Sequence, residues 1–392
     1  MARKRRKPFV VATLTLMLMV LGVGAGWAAY LNHQLDDVGR ISVDFGPDRA
    51  KERPRTPAPE GEREGGRGGD TYSSGGVERD SGGQDHGGKG DGSGDTDGEQ
   101  GGVGTSTSGA EPVTILIAGV DAGEGPRIAA DLADGSWTPG SYRTDTIMVL
   151  HLSADRRSAQ LVSVPRDSWV QVPGNGMGKV NSAFSLGGPS LYVRTVERLT
   201  GVDMDHLMII DWKAFKRITT AVGGVKVRIP AEVYDPSQDV RWEAGTHRLE
   251  GEQALQYVRQ RHGLPRGDFH RIDRQQNFVR ATLVKVLSDE TLMNPVKLTQ
   301  VLQTVGDHLL VDDRLSSSDL RDLALSVRGL KQEKVDFLTI PTRSLDTVQG
   351  QKVVRVDRRQ TRQLFQALVG DRINGYLERH DADRLSDPGR VR

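Results

Sequence analysis

Past Pro112 the chain alternates between short apolar runs and stretches with helical spacing of apolar positions. Val113–Asp121 carries an almost uninterrupted apolar run and predicts a buried strand ending in a carboxylate. Residues 146–152, 160–164, 207–211, 225–229 and 335–340 repeat that signal. Helical periodicity follows Gly187-Gly188-Pro189-Ser190 as far as Leu199, with Gly201 as its stop. It recurs at residues 213–222, 249–261, 274–287, 318–328 and 359–368. This order predicts one α/β domain over residues 112–380, layered α-β-α, with a central mixed sheet covered by helices. Residues 381–392 read as a frayed tail.

The pattern before Pro112 is different. Arg3, Lys4, Arg5, Arg6 and Lys7 form a basic tip within residues 1–8, and residues 9–31 are uncharged and apolar. That run exceeds the roughly 20 residues needed to cross a bilayer core. A basic flank places the N-terminus in the cytoplasm and the remainder outside the cell membrane. A cleavable signal peptide is the competing reading, since Ala25-Gly26-Trp27-Ala28-Ala29 offers small residues for cleavage. The apolar run is longer than the usual signal core of about 7–15 residues, which favours an anchor. Between anchor and domain, residues 32–111 predict a flexible extracellular linker: 19 of the 47 glycines lie within residues 61–109, and large apolar residues are almost absent there.

Composition removes several classes of function. There is no cysteine, so no disulfide framework, thiolate metal site or thiol nucleophile is available. A net charge of +1 gives no sign of a globally basic nucleic-acid binder. Arginine outnumbers lysine 40 to 13, a bias of GC-rich bacterial coding.

Charge is concentrated in one place. Arg259, Arg261, Arg266, Arg271 and Arg274 fall within sixteen residues, between two apolar-periodic segments. A guanidinium presents a planar fork that takes phosphate oxygens two at a time. A solvated face is the ordinary account of a charge run. Leu264, Phe269 and Ile272 interrupt this one, which favours a phosphate site on a helix–loop–helix. Asp121, Arg143, Asp145, Arg166 and Asp167 adjoin predicted strand ends, where α/β folds place ligands. Asp121 and Asp145 suit a hard cation, Mg²⁺ or Mn²⁺, while Arg143 and Arg166 suit phosphate; taken singly, each also fits a cap or a surface ion pair. No phosphate loop, Gly-x-Ser-x-Gly elbow or His-Glu-x-x-His helix is present.

Several blocks in order are similar to LytR–CpsA–Psr proteins. They are Arg143-Thr144-Asp145-Thr146, Ser163-Val164-Pro165-Arg166-Asp167-Ser168, Lys179-Val180-Asn181-Ser182-Ala183-Phe184, the run from Leu249 to Arg261, and that from Gly267 to Gln276. The resemblance implies a transferase that moves a glycopolymer from a polyprenyl-diphosphate carrier onto peptidoglycan through a phosphodiester. It implies diphosphate binding by Arg143, Arg166, Arg259, Arg261, Arg271 and Gln275, with Asp121 and Asp145 at a magnesium ion. Catalytic roles fall to Asp121, Asp145 and Arg143. A prenyl tunnel is also implied, with candidate linings at residues 191–199 and 278–287. The loop from Asp121 to Arg143 is longer than the family pattern leads one to expect. Two other functions use the same residues: a pyrophosphatase with water as acceptor, and a non-catalytic binder of lipid-linked wall precursors. Nucleic-acid regulation is disfavoured by the outward topology and the lack of a recognition helix.

Overall fold

The computed structural model of the chain describes residues 38–46, 111–121, 128–286, 300, 303–304, 309–380, 383–388 and 390–391. The predicted span at residues 9–31 and the glycine-rich stretch from residue 47 to 110 lie outside these. Among the described residues no helix is long and apolar enough to cross a membrane.

The apolar runs assemble into an eight-stranded mixed sheet. Its strands are, from one edge, β1 (Gly39–Ile41), β12 (Leu309–Asp312), β7 (His206–Asp211), β2 (Val113–Asp121), β3 (Arg143–Leu152), β4 (Ala159–Ser163), β13 (Val335–Thr339) and β16 (Asp383–Arg384). β2 runs parallel to β7 and antiparallel to β3; β4 is antiparallel to β3 and parallel to β13. The C-terminal ends of β2, β7, β4 and β13 therefore share one edge with the N-terminal end of β3.

Alternation along the strands sends side chains to two helical layers. Leu116, Ala118, Val120, Ile147 and Val149 meet α2 (Val180–Thr200), α6 (Arg358–Val369) and α7 (Ile373–Arg379), through Val193, Val196, Phe365 and Tyr376 among others. Ile117, Met148, Leu150 and Leu161 face the opposite way, toward Val279 and Leu283 of α5 (Asp268–Val286). Beyond α5, a second cluster joins α3 (Trp212–Ala221), α4 (Gly251–Arg259) and the ribbon of β8 (Val225–Ile229) with β11 (Gly245–Leu249). The layered α-β-α reading holds.

Two boundaries need correction. The linker expectation placed residues 38–46 outside the domain, but β1 pairs in parallel with β12, and Val38, Ile41, Val43 and Phe45 are buried. The Arg314 guanidinium lies 3.4 Å from the Phe45 ring centroid. At the other edge the expected tail supplies β16, and Leu385 N donates to Phe337 O at 2.9 Å. Each addition satisfies backbone groups that an open edge would leave unpaired.

α2 begins at Val180, ahead of the predicted start, and kinks at Gly187–Gly188. Gly188 has φ +65°, a left-handed conformation that glycine supplies cheaply, and Pro189 follows where no N–H is needed.

Asp312 is fully buried where β12 meets β7, accepting from Leu207 N at 2.9 Å and lying 3.2 Å from His206 Nδ1. Burial works to raise its pKa, but the bonds from His206 and Leu207, with His206 and Arg314 charge, leave it below the ordinary carboxylate value. Asp312→Ala is expected to cost about 2 kcal/mol by stranding the Leu207 N–H, read as a lower urea midpoint. A depressed folded pKa stabilises above the unfolded carboxylate pKa. That contribution should disappear from the wild type as pH falls through the lower folded value, narrowing its gap to the variant.

Candidate functional site

The polar residues converge on the shared sheet edge, and local irregularities aim them there. A bulge separates Gly119↔Thr146 from Val120↔Thr144, so Asp145 is the extra residue without a cross-strand partner. Bulges redirect a side chain out of the pleat. Gly119 permits the close pairing, because a Cβ there would stand 2.8 Å from Thr146 Cβ. Two positions further along, Asp121 faces Arg143 across the strands.

Asp145 accepts a bond from Arg166 Nη1. Both side chains are mostly buried, at 16% and 17% exposure. Arg166 stands in the turn after β4, and this turn is fixed from outside. Lys179 Nζ lies 2.9 Å from Asp167 Oδ1, and Asn181 N donates to Arg166 O at 3.2 Å. Lys179 closes the hairpin of β5 (Trp169–Val172) and β6 (Gly176–Lys179), so two separate sequence blocks meet in one turn. A second hairpin, β14 (Thr342–Val348) and β15 (Gln351–Val356), supports it through Val354 N donating to Asp167 O at 2.9 Å.

The arginine-rich segment reaches the same edge from above. Arg259 ends α4 and donates to Asp121 Oδ2 at 3.4 Å, with its guanidinium 5.5 Å from the Trp212 ring. This pair is far more open to solvent than Arg166–Asp145, so its net attraction is small and it can yield to a ligand. Arg261 is exposed, while Arg271 and Gln275 are buried one helical turn apart near the start of α5. Gln275 Nε2 donates to Val258 O at 3.3 Å. Gln276, next along, donates to Ser163 Oγ at 2.8 Å and Leu338 O at 2.6 Å, fastening α5 to the ends of β4 and β13.

The expected site residues thus sit on adjoining elements, in two Asp–Arg pairs plus Arg143, Arg261, Arg271 and Gln275. Asp121 and Asp145 each offer hard carboxylate oxygens at this edge, each beside an arginine. Mg²⁺ is commonly held by one or two carboxylates, with water and phosphate oxygens completing its shell. Among the described residues no cluster of three or more His, Cys, Asp or Glu could hold a metal by itself. Two carboxylates match the protein's share of such a shell in donor chemistry.

The LytR_cpsA_psr family model matches residues 87–369. The chain belongs to this family. It is 33% identical over 256 residues to the cell wall biosynthesis protein LcpA of Corynebacterium glutamicum, which covers 58% of this chain and 49% of LcpA. It is 31% identical to the polyisoprenyl-teichoic acid–peptidoglycan teichoic acid transferase TagU of Enterococcus faecalis, over 61% of this chain and 78% of TagU. The solved structure of TagT bound to LIIa-WTA superposes with a TM-score of 0.53 at 25% identity, over 67% of this chain and 91% of TagT. The chain spans about half the length of LcpA.

Within this LytR_cpsA_psr domain, the long loop after Asp121 contains α1 (Ile128–Ala133), and Trp137 and Tyr142 pack against each other beside Phe184. Residues 122–127 lie outside the described set. Leu191, Val193, Val196 and Leu199, expected as possible tunnel lining, are packed core between α2 and the sheet. Phe278 packs with Tyr257 and Phe215, and Val279 and Leu283 lie partly buried over the sheet. A cleft of about 330 Å³ opens elsewhere, beside Val335 at the start of β13, lined by Arg280 and Arg384 but by none of the expected site arginines.

Sequence reading overlooked Lys179, Trp212 and Gln276 as parts of this edge. Lys179 and Gln276 each had a usable signal, in the blocks from Lys179 to Phe184 and from Gly267 to Gln276; Trp212 had none. Sequence reading also left Arg274 undistinguished within its run. Arg274 is 1% exposed, with its guanidinium 4.6 Å from the Tyr257 ring centroid, while β9 (Val233–Asp235) and β10 (Val240–Trp242) form a ribbon beside it. Burial disfavours its charged form, offset in part by Tyr257 and Asp235.

Proposed function

We propose that this protein is a membrane-anchored phosphotransferase that moves a glycopolymer from a polyprenyl-diphosphate carrier onto peptidoglycan. One observation carries the reading: Arg166 and Arg259, from separate elements, reach a single sheet edge, where their carboxylate partners are Asp145 and Asp121. Family membership adds to it, as does the name of the enterococcal relative.

In this reading Arg143, Arg166, Arg259, Arg261 and Arg271 neutralise and orient the diphosphate, with Gln275 beside them. Phosphoryl transfer depends chiefly on such positioning and charge neutralisation. A sugar hydroxyl of peptidoglycan forms the new O–P bond to the glycan-bearing phosphorus. The bridging P–O bond breaks, and polyprenyl phosphate leaves. Asp121, half-exposed at the end of β2, would accept the hydroxyl proton. Mg²⁺ or Mn²⁺ held by Asp121 and Asp145 would supply charge stabilisation on phosphate oxygens. The prenyl tail would follow the apolar face of α5 at Val279 and Leu283. Residues 9–31 would anchor the domain outside the cell, and protease shaving of wall-stripped cells should release it; a protected full-length chain would overturn that topology.

The direct test incubates the full chain in detergent with lipid-linked glycan, with and without peptidoglycan fragments. A phosphodiester-linked glycan–peptidoglycan product and free polyprenyl phosphate are expected. Release of glycan phosphate that is indifferent to acceptor would instead identify a pyrophosphatase, and binding with no product a carrier or sensor.

A further inference from the structure

Arg274 is among the largest fully buried side chains of the domain, yet among the described residues it forms no ion pair with a carboxylate. A buried cation is costly, and a methionine would fill similar space without that cost. What the guanidinium does is donate from Nη1 to Gln260 Oε1 while stacking on Tyr257. Gln260 is itself fully buried, and its Nε2 donates to His262 O at 3.0 Å. Gln260 stands between Arg259 and Arg261 in extended backbone, φ −58° and ψ 132°. Arg259 and Arg261 on either side of it are exposed. With Gln260 held inward, the two arginines flank it on the solvent side.

The same turn is held at neighbouring points. Gln275 bonds Val258 O on one side. On the other, Gly263 has φ +75° and lies so close to β9 that a Cβ would stand 2.3 Å from Tyr234 O. The turn is fixed at residues 258, 260, 262 and 263, and Arg274 provides the central hold.

We propose that Arg274 is a positioning residue: acting through Gln260, it fixes the turn between α4 and α5 so that Arg259 and Arg261 address one diphosphate. It touches no substrate itself. The proposal rests on the reading of Arg259 and Arg261 as diphosphate ligands.

A double-mutant cycle on the full chain tests it, with binding of a short-chain polyprenyl diphosphate as readout. Arg261→Ala in the wild-type background is expected to weaken binding about 30-fold, the scale of a charge-assisted hydrogen bond. In an Arg274→Met background the same change should weaken binding no more than about 3-fold, because Arg261 is already misdirected. Such coupling is not produced by a general loss of stability, which leaves distant effects additive. Equal losses in both backgrounds would overturn the positioning role while leaving the diphosphate reading intact. No loss from Arg261→Ala in the wild-type background would overturn the diphosphate reading itself, and the positioning role with it. Should Arg274→Met fail to fold, as judged by its thermal melt, Gln260→Met carries the same cycle by removing the acceptor.

Discussion

Asp145→Asn should leave the lipid bound and slow its transfer roughly 100-fold, the scale of removing one charge-stabilising group from a reacting site. The bulge in β3 places Asp145 against Arg166, and both are largely screened from solvent. The amide preserves shape and can still accept a bond from Arg166, so the turn after β4 should hold its form. Its charge is gone, which weakens any hard cation shared with the diphosphate. Arg166 meanwhile loses a competing anion, so the local field becomes more favourable to a diphosphate. Binding and turnover therefore separate. Lipid affinity is retained or slightly raised, and turnover across a Mg²⁺ titration falls and shifts to higher metal. Unchanged turnover, indifferent to chelator, would reduce Asp145 to a structural partner of Arg166.

The strands that frame this edge were legible because their apolar runs are long enough to stand out. Residues 113–121 were read to the residue, and 207–211 and 160–164 to within one. β1 and β12 were not read, because each has only three or four residues and they pair across a separation of about 270 positions. Ile41, Val43 and Phe45 do alternate, but the surrounding glycine-rich composition hides so short a period. α5 starts six residues before its apolar periodicity predicts, for another reason. Arg274, Gln275, Gln276 and Asn277 are all buried beside Phe278, so no polar stripe marks where the helix turns to solvent. The site residues were legible as types in sequence blocks. Their pairing was not, since Asp121 and Arg259 lie 138 positions apart and only the fold brings them together.

Arg261→Lys separates charge from shape at the same edge. Both residues are cations, so long-range attraction for a diphosphate and its dependence on ionic strength should be nearly unchanged. A lysine ammonium is a point charge on a flexible stem, whereas a guanidinium offers two parallel N–H groups to two oxygens. Gln260 holds position 261 outward beside Arg259, so the missing fork cannot be supplied by a shift of the turn. Arg259 cannot compensate either, because in this reading its own fork is already committed to the same diphosphate. The expected loss is about 2–4 kcal/mol of transition-state stabilisation, or roughly 30- to 1,000-fold in kcat/KM. A salt titration of both proteins distinguishes the causes: parallel curves at different heights are expected from lost geometry. Wild-type transfer rates in Arg261→Lys would show instead that Arg261 belongs to a solvated basic face, and that the diphosphate is held by the buried Arg166 and Arg271 without it.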